Sequence, residues 1–196
     1  MDDQAKQLMS DQRCPMIEYN QPLSSPYVSP VVTITIGHKN YVIPGDYLRK
    51  YPQWHSNLTW NPHIKLPDVD EDIGHTLVHF LYTGTYETLG SAPDPRISSA
   101  AGEYRRSTLV YQVARTYGLP ELEALAKKYM EHFGGSVSIF DILRAAKGVF
   151  SKLPDDEVWL PRYIKTKLQR AFVSDETTCV TSFTANLERN KFFTGL

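Results

Sequence analysis

His75 and His79 stand four residues apart, a spacing that puts two imidazoles on one face of a helix, within reach of one metal ion. A zinc-protease helix carries Glu directly after the first histidine, and Thr76 occupies that place. No third ligand is evident in the sequence, so the pair reads as an exposed or half-buried helix face, with no metal and no cofactor expected. The acidic run Asp68, Asp70, Glu71 and Asp72 lacks the Gly and the bidentate Glu at the positions a calcium loop requires. It suits a helix N-terminus instead, where the dipole favours negative charge. Arg162, Lys165, Lys167 and Arg170, with Tyr163 among them, form a basic strip that mimics a nucleic-acid site but is more simply a solvated helix face. No GxGxxG, GxxxxGK[ST] or GxSxG motif occurs, and no nucleophile, base and orienting group fall into a recognisable set, so an enzyme is not expected.

These residues need a scaffold, and the composition allows one. The chain has 196 residues, 41% of them hydrophobic and 12% aromatic, which supports a folded core rather than a disordered tract. Lys and Arg number 21 against 22 Asp and Glu, leaving a formal charge of -1 and no electrostatic case for nucleic acid or an anionic membrane. Cys14 and Cys179 fall in the two tail regions and read as reduced thiols. No apolar run approaches a membrane span, and the opening MDDQAKQLMSDQR lacks the apolar region of a secretory signal. A cytoplasmic or nuclear protein follows as the expectation, with the sequon at Asn57 unmodified.

Residues 1–30, with four prolines and a serine cluster, read as a mobile leader. "VVTITIGHKNYVI" then reads as a β-hairpin with a four-residue connection at Gly37 to Asn40, and Val32, Ile34 and Ile36 on one face. Asp46 is the expected cap of a short helix bearing Tyr47, Leu48 and Tyr51, followed by a loop with Trp54, Leu58 and Trp60 and a strand at Ile64 to Leu66. Ile73, Leu77, Phe80 and Leu81 make one helical stripe that Gly84 ends. A loop is expected from Gly90 to Gly102, then a helix capped by Ser107, and a second beginning at Pro120 with Leu122, Leu125, Ala126 and Tyr129 inward. Two further helices are expected, over Ser138 to Phe150 with Ile139, Ile142, Leu143 and Ala146 in register, and after Asp156 with Leu160, Ile164 and Leu168. The order of residues 173–196 is left open.

From Val31 to about Phe133 these pieces resemble a BTB/POZ domain: the hairpin "VTITIGHKNYVIP", the short helix "DYLRKY", the segment "IKLPDVDEDIGHTLVHFLYTGTY" and the helix pair "LVYQVARTYGLPELEALAKKYM". The chain looks like the compact BTB proteins of filamentous fungi. The resemblance implies an α+β fold in which a small sheet is flanked by a helical cluster, spanning 31–135, with a helical extension over 136–172. It makes Tyr82, Thr83 and Gly84 a fold signature. It also implies a non-enzymatic protein–protein interaction module, pairing with itself or with other BTB proteins. Tyr47, Leu48 and Tyr51, with Trp54, Leu58 and Trp60 on the following loop, are the expected contact residues. One alternative is a substrate adaptor for a cullin scaffold of a ubiquitin ligase, although the hydrophobic-x-acidic motif of such adaptors does not occur between Tyr51 and Ile64. The other is a transcription-associated regulator touching nucleic acid through the basic strip.

Overall fold

The computed structural model describes residues 23–55, 62–90 and 98–172. Leu58, Trp60, Asn57, both cysteines and the segment 173–196 lie outside the described residues. The fold is α+β, with a three-stranded sheet against a helical layer. β1 (Val31–Ile36) pairs antiparallel with β2 (Lys39–Pro44), and β3 (His63–Lys65) adds in parallel on the other side of β1, giving the order β2-β1-β3. Alternation does what the sequence expects. Val32, Ile34, Ile36 and Ile43 enter the core, while Val31, Thr33 and Val42 face outward. The hairpin connection is shorter than expected, because Ile36 already pairs with Lys39. Gly37 adopts φ +55° and supplies the positive dihedral that a two-residue turn needs at its first central position.

Residues 23–30, grouped by composition with the leader, make specific contacts. Pro26–Val28 form a 3₁₀ turn capped by Ser25, and Pro30 O accepts from Gly45 N–H at 2.8 Å. A second 3₁₀ turn, Gly45–Leu48, starts one residue before Asp46. Asp46 therefore pairs with Arg49 (2.7 Å) and caps nothing. What reads as a loop after Tyr51 begins with a single helical turn, α1 (Pro52–His55).

The helical layer starts where Asp70 Oδ1 accepts the Asp72 N–H, as expected of the acidic run. α2 (Gly74–Thr83) follows, and Ile73, Leu77, Phe80 and Leu81 are all buried. Gly84 closes it in the left-handed region (φ +72°), its N–H reaching Phe80 O. α3 (Ser99–Thr116) begins well before the expected Ser107, because Ser98 caps it through Ala101 N–H. Ser107 instead lies buried mid-helix, donating to Tyr104 O. The network of Asp70 and Asp72 with Arg105 and Arg106, the latter also pairing with Glu103, fixes the start of α2 against α3.

α4 (Pro120–Phe133) packs along α3, burying Leu122, Ala126 and Met130, with Leu125 and Tyr129 half-buried beside them. α5 (Ile139–Val149), capped by Ser138, also leans on α3, and α6 (159–172) brings Leu160 into the core and Trp159 against Tyr111 (5.0 Å between centroids). Arg115 of α3 bonds Glu157 and Asp156 (3.0 Å each) just ahead of α6, so the C-terminal helices share one core with the rest. No helix among the described residues is long and apolar enough to cross a membrane.

Candidate functional site

The expected contact residues separate in the structure. Leu48, Tyr51 and Trp54 are buried. Leu48 closes the end of the sheet core, Tyr51 packs on Phe80 at 6.3 Å, and Trp54 meets Tyr117 edge-on at 5.5 Å. Their burial makes them core residues rather than a contact face. The reason is that the 3₁₀ turn and α1 roll this segment inward over the mouth of the core, where bulky rings are needed to seal it. Of the described members of that set, Tyr47 alone stays at the surface, half-buried.

Tyr47 stands between two other tyrosines, with ring centroids 6.3 Å from Tyr27 and 5.0 Å from Tyr82. Tyr82 projects from the last turn of α2 and donates its hydroxyl to Val42 O (2.7 Å) on the edge strand β2. That bond occupies an outward carbonyl that another strand would otherwise use. Its role, with Thr83 donating to His79 O and Gly84 in the left-handed region, is to finish α2 and pin it to the sheet. A hydrogen bond with Tyr27 raises the Tyr47 phenol above its ordinary titration range, and burial does the same for Tyr82. Tyr47 and Tyr82 are therefore uncharged at neutral pH.

A second surface is more apolar, and the sequence reading missed it. Phe140 is 73% exposed, Leu143 37% and Phe150 51%. At 100° per residue the three fall within an arc of about 80°. Ile142, Ala146 and Val149 take the neighbouring, buried side, centred about 110° away. Leu143 was expected to face inward with Ile139, Ile142 and Ala146. It does not, because α5 has a second apolar stripe and only one of the two meets α3. The signal was present in the spacing of Phe140, Leu143 and Phe150. Beside this stripe, a groove of about 420 Å³ runs between α3 and α5, lined by Leu109 and Ala145, by the basic Arg105, Arg144 and Lys152 and by the acidic Asp70 and Asp141.

The basic strip on α6 is not one face. Tyr163 donates to Met130 O (2.9 Å) and Lys167 to Gly134 O (2.7 Å), so both turn inward to the carbonyl end of α4, where positive charge is favoured. Burial and the neighbouring Arg170 lower the Lys167 ammonium below its ordinary value. Arg162, Lys165 and Arg170 remain exposed. His75 and His79 do share a face of α2, and the structure adds a carboxylate, Glu87, from the segment after Gly84.

The protein-family comparison matches residues 43–137 to the HAC6 N-terminal domain and residues 138–194 to the HAC6 small helical domain. The junction falls at Ser138, the cap of α5. Two curated relatives, subtelomeric hrmA-associated cluster proteins from two strains of Aspergillus fumigatus, are each 48% identical over 160 residues, covering 82% of this chain and 36% of the relative. The chain thus spans about a third of the length of those relatives. No solved structure matches. These matches overturn the BTB/POZ resemblance and the ubiquitin-ligase adaptor role attached to it. The similarity this chain carries, through two consecutive domains, is to the HAC6 proteins.

Proposed function

We propose that this chain is a non-enzymatic protein-interaction module whose docking face is the outer stripe of α5. The observation that supports this reading is the exposure of Phe140, Leu143 and, just past the end of α5, Phe150 along one side of the helix, next to the side that the core uses. Aromatic residues contribute the most to interfaces, and the three side chains leave on the order of 300 Å² of apolar surface in water. A standard interface buries about 800 Å² per partner, so the stripe suits its centre, with a polar margin completing it. Lys147 falls within the arc of the stripe, and Arg144 and Lys152 lie beside it, with Asp141 paired to Arg144. A partner helix with an apolar stripe and acidic flanks complements this surface. A second copy of the same face, equally basic, would repel it.

The double variant Phe140→Ser/Phe150→Ser tests the reading. It should keep the parent melting temperature, because neither ring contributes to the core, and lose partners that the parent retains in affinity capture. Retention of every partner by a folded double variant would refute the proposal. Light scattering at tens of micromolar separates the two kinds of partner: a monomer is expected, and a dimer that the same substitutions abolish would assign the face to self-association.

A further inference from the structure

The geometry points to a divalent-cation site formed by His75, His79 and Glu87. The two rings lie one turn apart on α2, with centroids 5.6 Å apart. Glu87 Oε1 sits 3.3 Å from His75 Nε2 and 3.9 Å from His79 Nδ1, and one ligand atom from each residue lies within 4.8 Å of the others. Ligand atoms around a tetrahedral zinc, at 2.0–2.1 Å from the metal, are about 3.3 Å apart. The cluster is therefore within a small side-chain adjustment of a coordination shell.

The hydrogen bonds around His79 decide which nitrogen is available. Thr83 Oγ1 has one proton, and it goes to His79 O (2.8 Å), which only accepts. Thr83 Oγ1 also accepts from Thr85 N–H (3.1 Å). In the contact between the two hydroxyls (2.8 Å) the proton must then come from Thr85. Thr85 Oγ1 has no second proton, so the ring atom 2.9 Å from it, His79 Nε2, must be the donor. In the neutral imidazole this leaves the lone pair on Nδ1, the nitrogen that faces Glu87. Ligating histidines have this arrangement, with the far N–H held by an oxygen that fixes tautomer and ring orientation.

Glu87 is held in place from both sides. Tyr86 stacks on Tyr129 at 4.1 Å, and Thr88 donates to Glu103 at 3.0 Å. The carboxylate thus arrives on an anchored strap rather than a free loop, and its 59% exposed side chain leaves a coordination position open to solvent. Two imidazoles and one carboxylate suit a borderline first-row ion, zinc foremost, better than calcium or magnesium, which take oxygen ligands. Occupancy would join the strap leading to α3 to the exposed face of α2.

The test uses the full chain with Cys14→Ser and Cys179→Ser, which removes competing thiols. Chelator-treated protein is titrated with zinc by calorimetry, and with cobalt while visible absorption is recorded. One ion per chain should bind, with the intense cobalt bands of a low-coordinate nitrogen–oxygen site. Glu87→Gln and His79→Ala should each weaken zinc binding at least tenfold. Thr85→Val should weaken it about tenfold through the orienting bond. His63→Ala/His132→Ala should leave it unchanged. Because Glu87 is largely exposed, Glu87→Gln should melt with the metal-free parent, which separates loss of a ligand from loss of fold. No saturation near one equivalent, or zinc affinity unaltered by Glu87→Gln, would overturn the site.

Discussion

Glu157→Ala should detach the C-terminal helices energetically from the rest of the chain. The Glu157 side chain is only 7% exposed and serves two elements at once. Oε1 accepts the Leu160 N–H at 2.8 Å in the first turn of α6, and Oε2 accepts from Arg115 Nε of α3 at 3.0 Å. Losing a capping acceptor costs about 1 kcal/mol. Losing a charge-assisted bond on a mostly buried carboxylate adds about 1.5 kcal/mol, since Arg115 keeps Asp156 and Glu123 and is not left alone. A total of about 2.5 kcal/mol corresponds, for a chain of this size, to a fall in Tm of about 5–10 °C. Urea unfolding measures the loss, and amide exchange should show it concentrated in 159–172. Glu157→Gln retains an acceptor for Leu160 N–H and should lose about half as much. Burial alone would raise this carboxyl, but the Leu160 N–H, Tyr111 and Arg115 outweigh it and hold it below the usual range. A group with a depressed folded pKa contributes stability above its unfolded value and loses it as the pH falls through the folded one. The difference between parent and Glu157→Gln should therefore be complete at neutral pH and shrink below about pH 4.5. If Glu157→Ala unfolds within 0.5 kcal/mol of the parent, or the difference persists unchanged into acid, this account of how α6 is held is wrong.

Other substitutions probe the remaining steps. Gly84→Ala should cost about 1 kcal/mol in urea unfolding, all of it conformational, because a Cβ there meets nothing within 4 Å while φ is +72°. Gly74→Ala would place a Cβ 2.7 Å from the Tyr41 hydroxyl and should cost about 1–3 kcal/mol, recovered in part by Tyr41→Phe. Trp54→Ala should cost about 3–5 kcal/mol as a core truncation, and a folded Trp54→Ala chain of parental stability would return that residue to the list of surface candidates. Glu71, depressed first by the His38 N–H and then by Lys39, should make Glu71→Gln less acid-sensitive than the parent when unfolding is followed between pH 3 and pH 5.

Most of the scaffold was legible because its signals are local. The alternation of Val32, Ile34 and Ile36, the stripe from Ile73 to Leu81, the Gly84 stop and the Pro120 start each depend on a few neighbouring residues, and each lies where periodicity puts it. The misplacements have a common origin in competing local choices. Ser98 and Ser107 are both acceptable caps. The former wins because residues 99–106 bring Tyr104 and Arg106 into buried contacts that a later start would forfeit. Leu48, Tyr51 and Trp54 look like spare aromatic and aliphatic surface only until the chain rolls them over the core. Whether a bulky side chain is inside depends on the tertiary placement of its segment, and no short-range pattern encodes that. The His75 and His79 spacing was visible too. Glu87 was not, because the positive φ of Gly84 and the Tyr86–Tyr129 stack bring it back to α2.

The resemblance to the BTB family failed for a related reason. Its four pieces were the opening hairpin, the short helix after it, a strand and helix with a Leu-Pro-Asp turn before and a Tyr-Thr-Gly at the end, and a helix pair bearing Tyr117, Gly118 and Leu122. In this structure local physics accounts for most of this punctuation. Asp70 caps, Gly84 supplies a left-handed terminus, Gly118 does the same at φ +60°, and Pro120 occupies a first-turn position where its missing N–H costs nothing. Such punctuation recurs wherever a hairpin, a strand and amphipathic helices follow one another, so four pieces in order testify to an α+β arrangement and to little else. The residues that would distinguish one such arrangement from another are those the punctuation does not require. Here they are Tyr47 in its tyrosine row, the outer stripe of α5, and the strap that carries Glu87 to the two histidines. All three lie on the surface, and each is built by contacts between segments distant in the sequence or by a helix face that the core leaves unused.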